Sequence, residues 1–315
     1  NQSSGALSGN AVLGVHNQTS GIGTGNFVAG FGNQSSGALS GNAVLGVHNQ
    51  TSGLATGNFV AGVGNQSSGI GSGNAVAGVN NQSSGLLVGN GVNGNNNQSR
   101  GANSGNGVTG SNNIASGTCA GNNVAASNTI AVGTNSNAAA ENSTAIGNGA
   151  TVASTHTNSS AIGQGATTAF NNQMSFGNVN QTYTTPGITS DLSKSRQSGP
   201  LEIVTSDAGG NLATDGGDTF RAIGDLRAGV AIALALESPE LATGENFGIR
   251  VGWGNFDGEA NACGLNAIGV ICRGCFNAGD RIAIDGGVGF GYSDFESYNA
   301  EGVVAGRAGV QWTWR

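Results

Sequence analysis

The side chains in this 315-residue chain with the widest chemical range are four cysteines and three histidines: Cys119, Cys263, Cys272, Cys275, His16, His48 and His156. Cys272 and Cys275 form a C-x2-C pair. A structural zinc needs four ligands and only Cys263 lies near, so a disulfide or two free thiols is expected rather than a metal. Cys119 reads as a small residue inside a glycine-rich coil. His16 and His48 hold equivalent places in duplicated text, and His156 stands alone. No carboxylate precedes Glu141, so His16 and His48 have no acid partner nearby in sequence, and all three histidines read as turn residues. Gly21-x-Gly23 lacks the strand–helix context of a dinucleotide site. A calcium-binding roll would carry Asp in its turns, and the repeat copies have none. The expectation is no catalytic residue, no cofactor and no metal.

The elements that carry these residues are repetitive. From Asn1 the text NQSSGALSGNAVLGVH recurs every 16 residues, opening on Asn17, Asn33, Asn49, Asn65, Asn81, Asn97 and Asn113. Gly5 through Gly117, Gly9 through Gly121 and Asn10 through Asn122 never change. Nor does the series Val12, Val28, Val44, Val60, Val76, Val92, Val108 and Val124. A short fixed period is a solenoid signature, and text rich in Gly and Asn disfavours helix. Two short strands and two turns per copy make one coil of a β-roll. Gly takes the left-handed turns, Val stacks on Val inside, and Asn stacks on Asn as a hydrogen-bonded ladder. The interior is thin: Val12 and one to three neighbours such as Leu13 and Val15. Later copies replace those neighbours with Asn93, Asn95 or Ser111. One such coil buries little against its ordering entropy, so partner chains are expected to support the array.

From Thr129 the text shifts to TIAVG, STAIG, SAIG and MSFG. Gly133, Gly147, Gly163 and Gly177 mark steps of 14 and 16 residues, read as shorter coils of the same roll. Residues 1–128 are thus one repeat region and 129–180 a second. Residues 181–217 form a polar connector with two of the three prolines. Residues 218–242 hold a helix, and 243–315 four strands.

Composition agrees with this division. Gly contributes 59 residues, and charged residues are only 9%, against about a quarter in typical domains. Before Asp191 the only ionised side chains are Arg100 and Glu141. The net charge of -7 offers no basic stripe for nucleic acid. Opening on Asn1 without an initiator Met, the chain reads as a fragment or processed product, with no signal peptide visible. No apolar run reaches the ~20 residues of a membrane-spanning helix, but β-barrels leave a weaker trace.

In the helix, Asp218 or Thr219 is the expected cap and Pro239 the stop. Phe220, Ile223, Leu226, Val230 and Leu234 form an apolar stripe. In the strands, large apolar residues alternate with Gly. Phe247, Ile249, Val251 and Trp253 are followed by Ile282, Ile284, Val288, Phe290 and Tyr292, then by Val304, Val310, Trp312 and Trp314. The strand near Cys263 to Ile271 is mixed. One face is apolar with aromatic ends, as on a lipid-facing barrel. The other is Gly with a few charges, leaving room for a bulky occupant such as the preceding helix. A soluble antiparallel sheet with one face on a helix fits the same pattern. Four strands are too few for a membrane barrel, which starts at about eight in single chains.

STAIG and SAIG resemble the head repeats of trimeric autotransporter adhesins, the YadA-like surface proteins of Gram-negative bacteria. FRAIGDLRAGVAIALALESP, NFGIRVGWGNFDGE, IDGGVGFGY and VAGRAGVQWTW resemble their C-terminal anchor. The resemblance covers about residues 129–180 and 218–315. It implies a mainly-β chain: a left-handed parallel β-roll head, a short connector, one α-helix, and four antiparallel strands forming one third of a trimeric twelve-stranded barrel. It also implies a homotrimer in the Gram-negative outer membrane, inserted by the barrel-insertion machinery. The passenger is exported through the pore and displayed on the cell surface, where it binds host or environmental surfaces such as matrix proteins. No catalysis is implied. The membrane-facing residues would be Phe247, Ile249, Val251, Trp253, Ile282, Ile284, Val288, Phe290, Val310, Trp312 and Trp314. The chain departs from the family in three ways. Its 16-residue copies are unusually uniform and Asn-rich, it has no long coiled-coil stalk, and it ends Trp314–Arg315 where an aromatic residue is usual.

A different class of function, a self-assembling amyloid-like matrix protein without a specific receptor, fits the Asn, Gln and Ser ladders as well. A soluble enzyme or binding protein is disfavoured by the near absence of charge in the array.

Overall fold

The computed structural model describes residues 1–276, 278–295, 298–299 and 302–314. Arg315, expected to bear on barrel insertion, lies outside the described residues. The chain forms two compact units, Asn1–Tyr183 and Thr184–Arg315.

The first unit is a parallel β-solenoid. Each coil adds one strand to a twelve-stranded sheet running from Gln2–Ser4 to Met174–Phe176. Identical positions pair: Gln50 lies beside Gln66 and Gly53 beside Gly69. A second sheet of five strands runs from Leu13–Val15 to Val76–Val79. It continues as single bridges from Ala77 to Asn93 and from Asn93 to Thr109. The shorter coils keep the main register, with Ile130 beside Thr144, Thr144 beside Ser160 and Ser160 beside Met174.

The interior departs from the sequence expectation in one respect. Val28, Val44, Val60, Val76, Val92, Val108 and Val124 form one buried cluster, with Val12 packed against its end. Leu13 and Val15, expected inside, are 66% and 54% exposed. Alternation along the short strand turns them outward while Val12 faces in. Polar residues fill the remaining space. Asn17, Asn33, Asn49 and Asn65 are fully buried, as are Thr24, Ser40, Thr56 and Ser72. Beyond Ala131 the core changes to alanine: Ala131, Ala138, Ala140, Ala145, Ala150, Ala161 and Ala166, with Val152.

Left-handed corners are not reserved for glycine. Leu39, His48 and Phe59 have φ of 54°, 55° and 62°, a conformation that costs a non-Gly residue about 1–2 kcal/mol. Each donates its N–H to the preceding coil: Leu39 to Ile22 O, His48 to Phe31 O and Phe59 to Asn42 O, at 2.8–2.9 Å. The ladder bond recurs in every coil and offsets the strain. The invariant Gly5-to-Gly117 series answers to a different constraint. A Cβ on Gly53 would lie 2.0 Å from Gly69 O, so successive coils could not stack.

The second unit begins with a 3-10 turn, Pro186–Thr189, and a short helix, Asp191–Ser195, capped by the Ser190 hydroxyl. The connector, read as plain polar linker, contains a hairpin of Val204–Ser206 and Leu212–Thr214. The long helix spans Asp218–Ala235. Four antiparallel strands follow: Phe247–Phe256, Ala260–Arg273, Arg281–Phe295 and Val303–Thr313. They pair in chain order as a meander, and the two-residue strand Tyr298–Asn299 pairs with the end of the third.

Two expectations for the helix are corrected. Its N-cap is Gly217, which makes no side-chain cap. The capping carboxylate is Asp215, reaching from outside to accept from the N–H groups of Gly217 and Thr219, and from Ile203 before the hairpin. Second, the sheet-facing stripe is small, not large. Gly224, Ala228, Ala231, Ile232 and Ala235 are buried, whereas Leu226 and Leu234 are exposed. The glycine face of the sheet admits the helix backbone closely, and Ile232, over Gly289 and Gly291, is the one large helix side chain buried in the contact.

Candidate functional site

Among the described residues, no three His, Cys, Asp or Glu side chains gather as a metal site. The described helices include none long and apolar enough to cross a membrane.

Two asparagine ladders fasten the roll. In the buried one, Asn65 donates N–H and Nδ2 to Asn49 Oδ1, both at 3.0 Å, and Nδ2 also to Gly78 O at 2.9 Å. Asn81 donates in the same way to Asn65 Oδ1. In the second ladder the direction reverses: Asn42 donates to Asn58 Oδ1, and Asn58 to Asn74 Oδ1. The two amide rows therefore run antiparallel along one solenoid, each buried donor meeting an acceptor one coil away. A third row follows the exposed corners Asn96, Asn112, Asn128, Asn142, Asn158 and Asn172.

The outward faces change chemistry along the roll. On the five-stranded sheet the outward ladder is Val15, Phe31, Val47, Val63 and Val79, giving way to Asn95 and Ser111. On the twelve-stranded sheet the outward row is Ser20 to Ser84 in the early coils. It becomes Val132, Ile146, Ile162 and Phe176 in the late ones. Phe31 stands edge-on between His16 and His48, at centroid distances of 5.3 and 5.5 Å. His16 and His48 are left-handed corner residues with φ of 62° and 55°. His156 Nδ1 lies 2.9 Å from Thr168 Oγ1. Cys119 is likewise a corner residue, with φ of 57° and a free thiol.

In the second unit the sheet has two opposite faces. Phe247, Ile249, Val251, Trp253, Ile284, Val288, Phe290, Val310, Trp312 and Trp314 are all exposed, and Ile282 is half-buried. Trp253, Cys263, Phe290 and Val304 form one cross-strand row, and Cys263 is a free, exposed thiol within it. At the other end Trp312 lies 5.4 Å from Phe276 and 5.8 Å from Trp314. The eleven residues from Ile282 to Tyr292 extend about 33 Å, or about 25 Å in height at a 40° tilt, the height of an outer-membrane apolar band. Cys272 and Cys275 are joined as a disulfide beside the turn after the second strand.

The inner face is built to receive a helix backbone. A Cβ on Gly254 would lie 2.0 Å from Ala231 O, and one on Gly252 2.1 Å from Ala235 O. Ile232 rests over Gly289 and Gly291. Around the end of the helix each strand supplies one polar side chain: Arg250, Asn266, Asp285 and Arg307. Sequence alternation alone places a few scattered charges on this face. The clustering depends on register and on the helix ending at Ala235, neither of which spacing alone fixes.

No family model matches the chain, and no curated protein matches it. A solved structure resembles it. That structure is the collagen-binding domain of the Yersinia adhesin YadA, matched at a TM-score of 0.30 and 20% identity over 53% of this chain and 83% of that one. The helix and four antiparallel strands follow the roll in the order that the YadA-like anchor text implies.

Proposed function

We propose that the chain is a trimeric surface adhesin of the autotransporter type. In this reading residues 243–315 of three copies close a twelve-stranded outer-membrane barrel. Residues 218–242 of each copy occupy the pore through which the roll was exported, and the roll, residues 1–180, stands on the cell surface as the adhesive part. The observation that carries it is the four-stranded sheet with an aliphatic and aromatic outer face, a glycine inner face filled by a helix, and two open edge strands. The first and fourth strands run in opposite directions, so copies can join edge to edge and keep the antiparallel alternation. An eight-stranded barrel is filled by side chains alone, so two copies leave no space for their helices, and three provide it. Ile223, Leu226, Val230 and Leu234, turned away from the sheet, then meet their counterparts along the axis at heptad-like spacing.

The experiment is display of the full chain on a Gram-negative cell lacking adhesins. The account expects the roll to be shaved from intact cells by added protease, and the cells to bind at least one immobilised matrix protein or host-cell layer above the empty-vector level. A chain recovered as a soluble monomer contradicts it. A matrix-forming role is the second reading, favoured by the in-register amide ladders. It expects residues 1–180 alone to seed thioflavin-positive fibrils.

A further inference from the structure

The helix lies on a track with little to fix its position along its own axis. Ala228, Ala231 and Ala235 face Gly252, Gly254, Gly264 and Gly291, and the one large buried helix side chain, Ile232, lies over Gly289 and Gly291. Small residues on glycine make a smooth contact. At one end Arg227 pairs with Asp257 and Glu259 of the turn after the first strand. At the other end four strands converge on four consecutive residues. Arg250 of the first strand pairs with Glu237. Asn266 of the second, itself buried, donates Nδ2 to Ala235 O at 3.3 Å. Arg307 of the fourth donates Nη1 to Leu236 O at 3.2 Å, and its Nη2 to Ser238 and to Asp285 of the third. Ser238 in turn donates to Asp285.

We propose that Arg250, Asn266, Asp285 and Arg307 form a latch on Ala235–Ser238 that stops the helix at one depth in the lumen and holds the pore closed. The physical reason is the helix terminus. Its last carbonyls have no intrahelical donor and carry the negative end of the dipole. A guanidinium and an amide on the sheet satisfy them at this depth alone. A slip of one turn, about 5.4 Å, would bring the Arg307–Asp285 pair opposite Ile232 and leave the carbonyls facing glycine. The smooth track permits passage and the latch ends it. These four are positioning residues, and their role in closure rests on the barrel reading above.

The test uses the full chain purified from outer membranes. Arg307→Ala and Asn266→Ala, singly and together, are compared with wild type in planar bilayers and by amide hydrogen exchange over Ile232–Leu236. The latch predicts frequent open-channel events where wild type is closed, and exchange about tenfold faster in the last helical turn, with surface display unchanged. Arg307→Lys, which keeps the charge but not the forked geometry, should fall between. Wild-type conductance together with wild-type exchange in the double variant overturns the latch. Should Arg307→Ala fail to assemble, Arg307→Lys and Asn266→Ala carry the same comparison. If neither wild type nor any of the variants forms a channel, the barrel reading falls. Exchange in detergent then decides the latch: unchanged rates in the variants reject it.

Discussion

The two units hide and expose opposite chemistry by different means. The roll buries asparagine and hydroxyl side chains and turns Leu13, Val15 and Phe31 outward. The second unit buries glycine and alanine and turns Trp253, Phe290 and Trp312 outward. Both depart from the usual soluble arrangement, the roll by burying amides and hydroxyls beside its valine and alanine core, yet the repair differs. In the roll, the buried amides from Asn17 to Asn97 each bond an identical residue one coil away, so satisfaction there is local and repeats. In the helix–sheet unit, fit depends on backbones approaching where no side chain intervenes, so a single added carbon is felt by the whole seat. The roll should therefore degrade by coils, and the seat as one piece.

The largest expected effect is at the seat. Gly254→Val places carbon where Ala231 O now lies, an overpacking that costs about 3 kcal/mol or more. It should abolish the heat-resistant assembled band on gels while leaving the circular dichroism of isolated residues 1–180 out of account, since that unit is untouched. Next is the ladder. Asn65→Ala strands the Asn81 N–H and the Gly78 carbonyl inside the roll, at about 1–3 kcal/mol for each orphaned group. Denaturant unfolding of the roll should show a loss of about 3 kcal/mol, with hydrogen exchange rising in neighbouring coils first.

The hairpin-to-helix junction should respond to acid. Asp215 is held below the ordinary carboxyl value by the Thr219 side chain and by the N–H groups of Gly217, Thr219 and Ile203. Asp207 is lowered by Asn211, through its side chain and then its backbone. Lowered values mean the junction is fully supported above about pH 4. That support is lost as the pH falls through the lowered values. Amide signals of Gly217 and Thr219 should hold their positions to below pH 4, and Asp215→Asn should remove that acid transition. The smallest effect belongs to the outward ladder. Leu45→Asn, a residue type found two ladder steps beyond Ala61 at Asn93, should change the stability of an isolated roll by no more than about 0.5 kcal/mol. A clearly larger loss in the assembled protein would show that a partner covers this face.

Much of this was legible because repetition amplifies a weak signal. Eight copies of one Val and one Gly position specify a solenoid even though a single coil would not. Strand alternation likewise separated Trp253 and Phe290 from Gly252 and Gly289. The facing of Leu13 and Val15 was missed, because a three-residue strand beside a left-handed corner gives alternation too little length to register. The helix stripe was misread for a different reason. Ile223, Leu226 and Leu234 have the right spacing for a core. The deciding fact lies in another segment, where the glycines of the sheet meet Ala228, Ala231, Ile232 and Ala235 instead. Asp215 escaped notice because its carboxylate caps from beyond the N-cap position, across a glycine pair.

The central claim is that each unit is one third of a larger object. Its most direct test is the mass of the full chain extracted from outer membranes in mild detergent, measured before and after harsh denaturation. The account predicts a species of three chain masses that falls to one only on harsh treatment. A single chain mass in mild detergent, with the protein still folded, would contradict it.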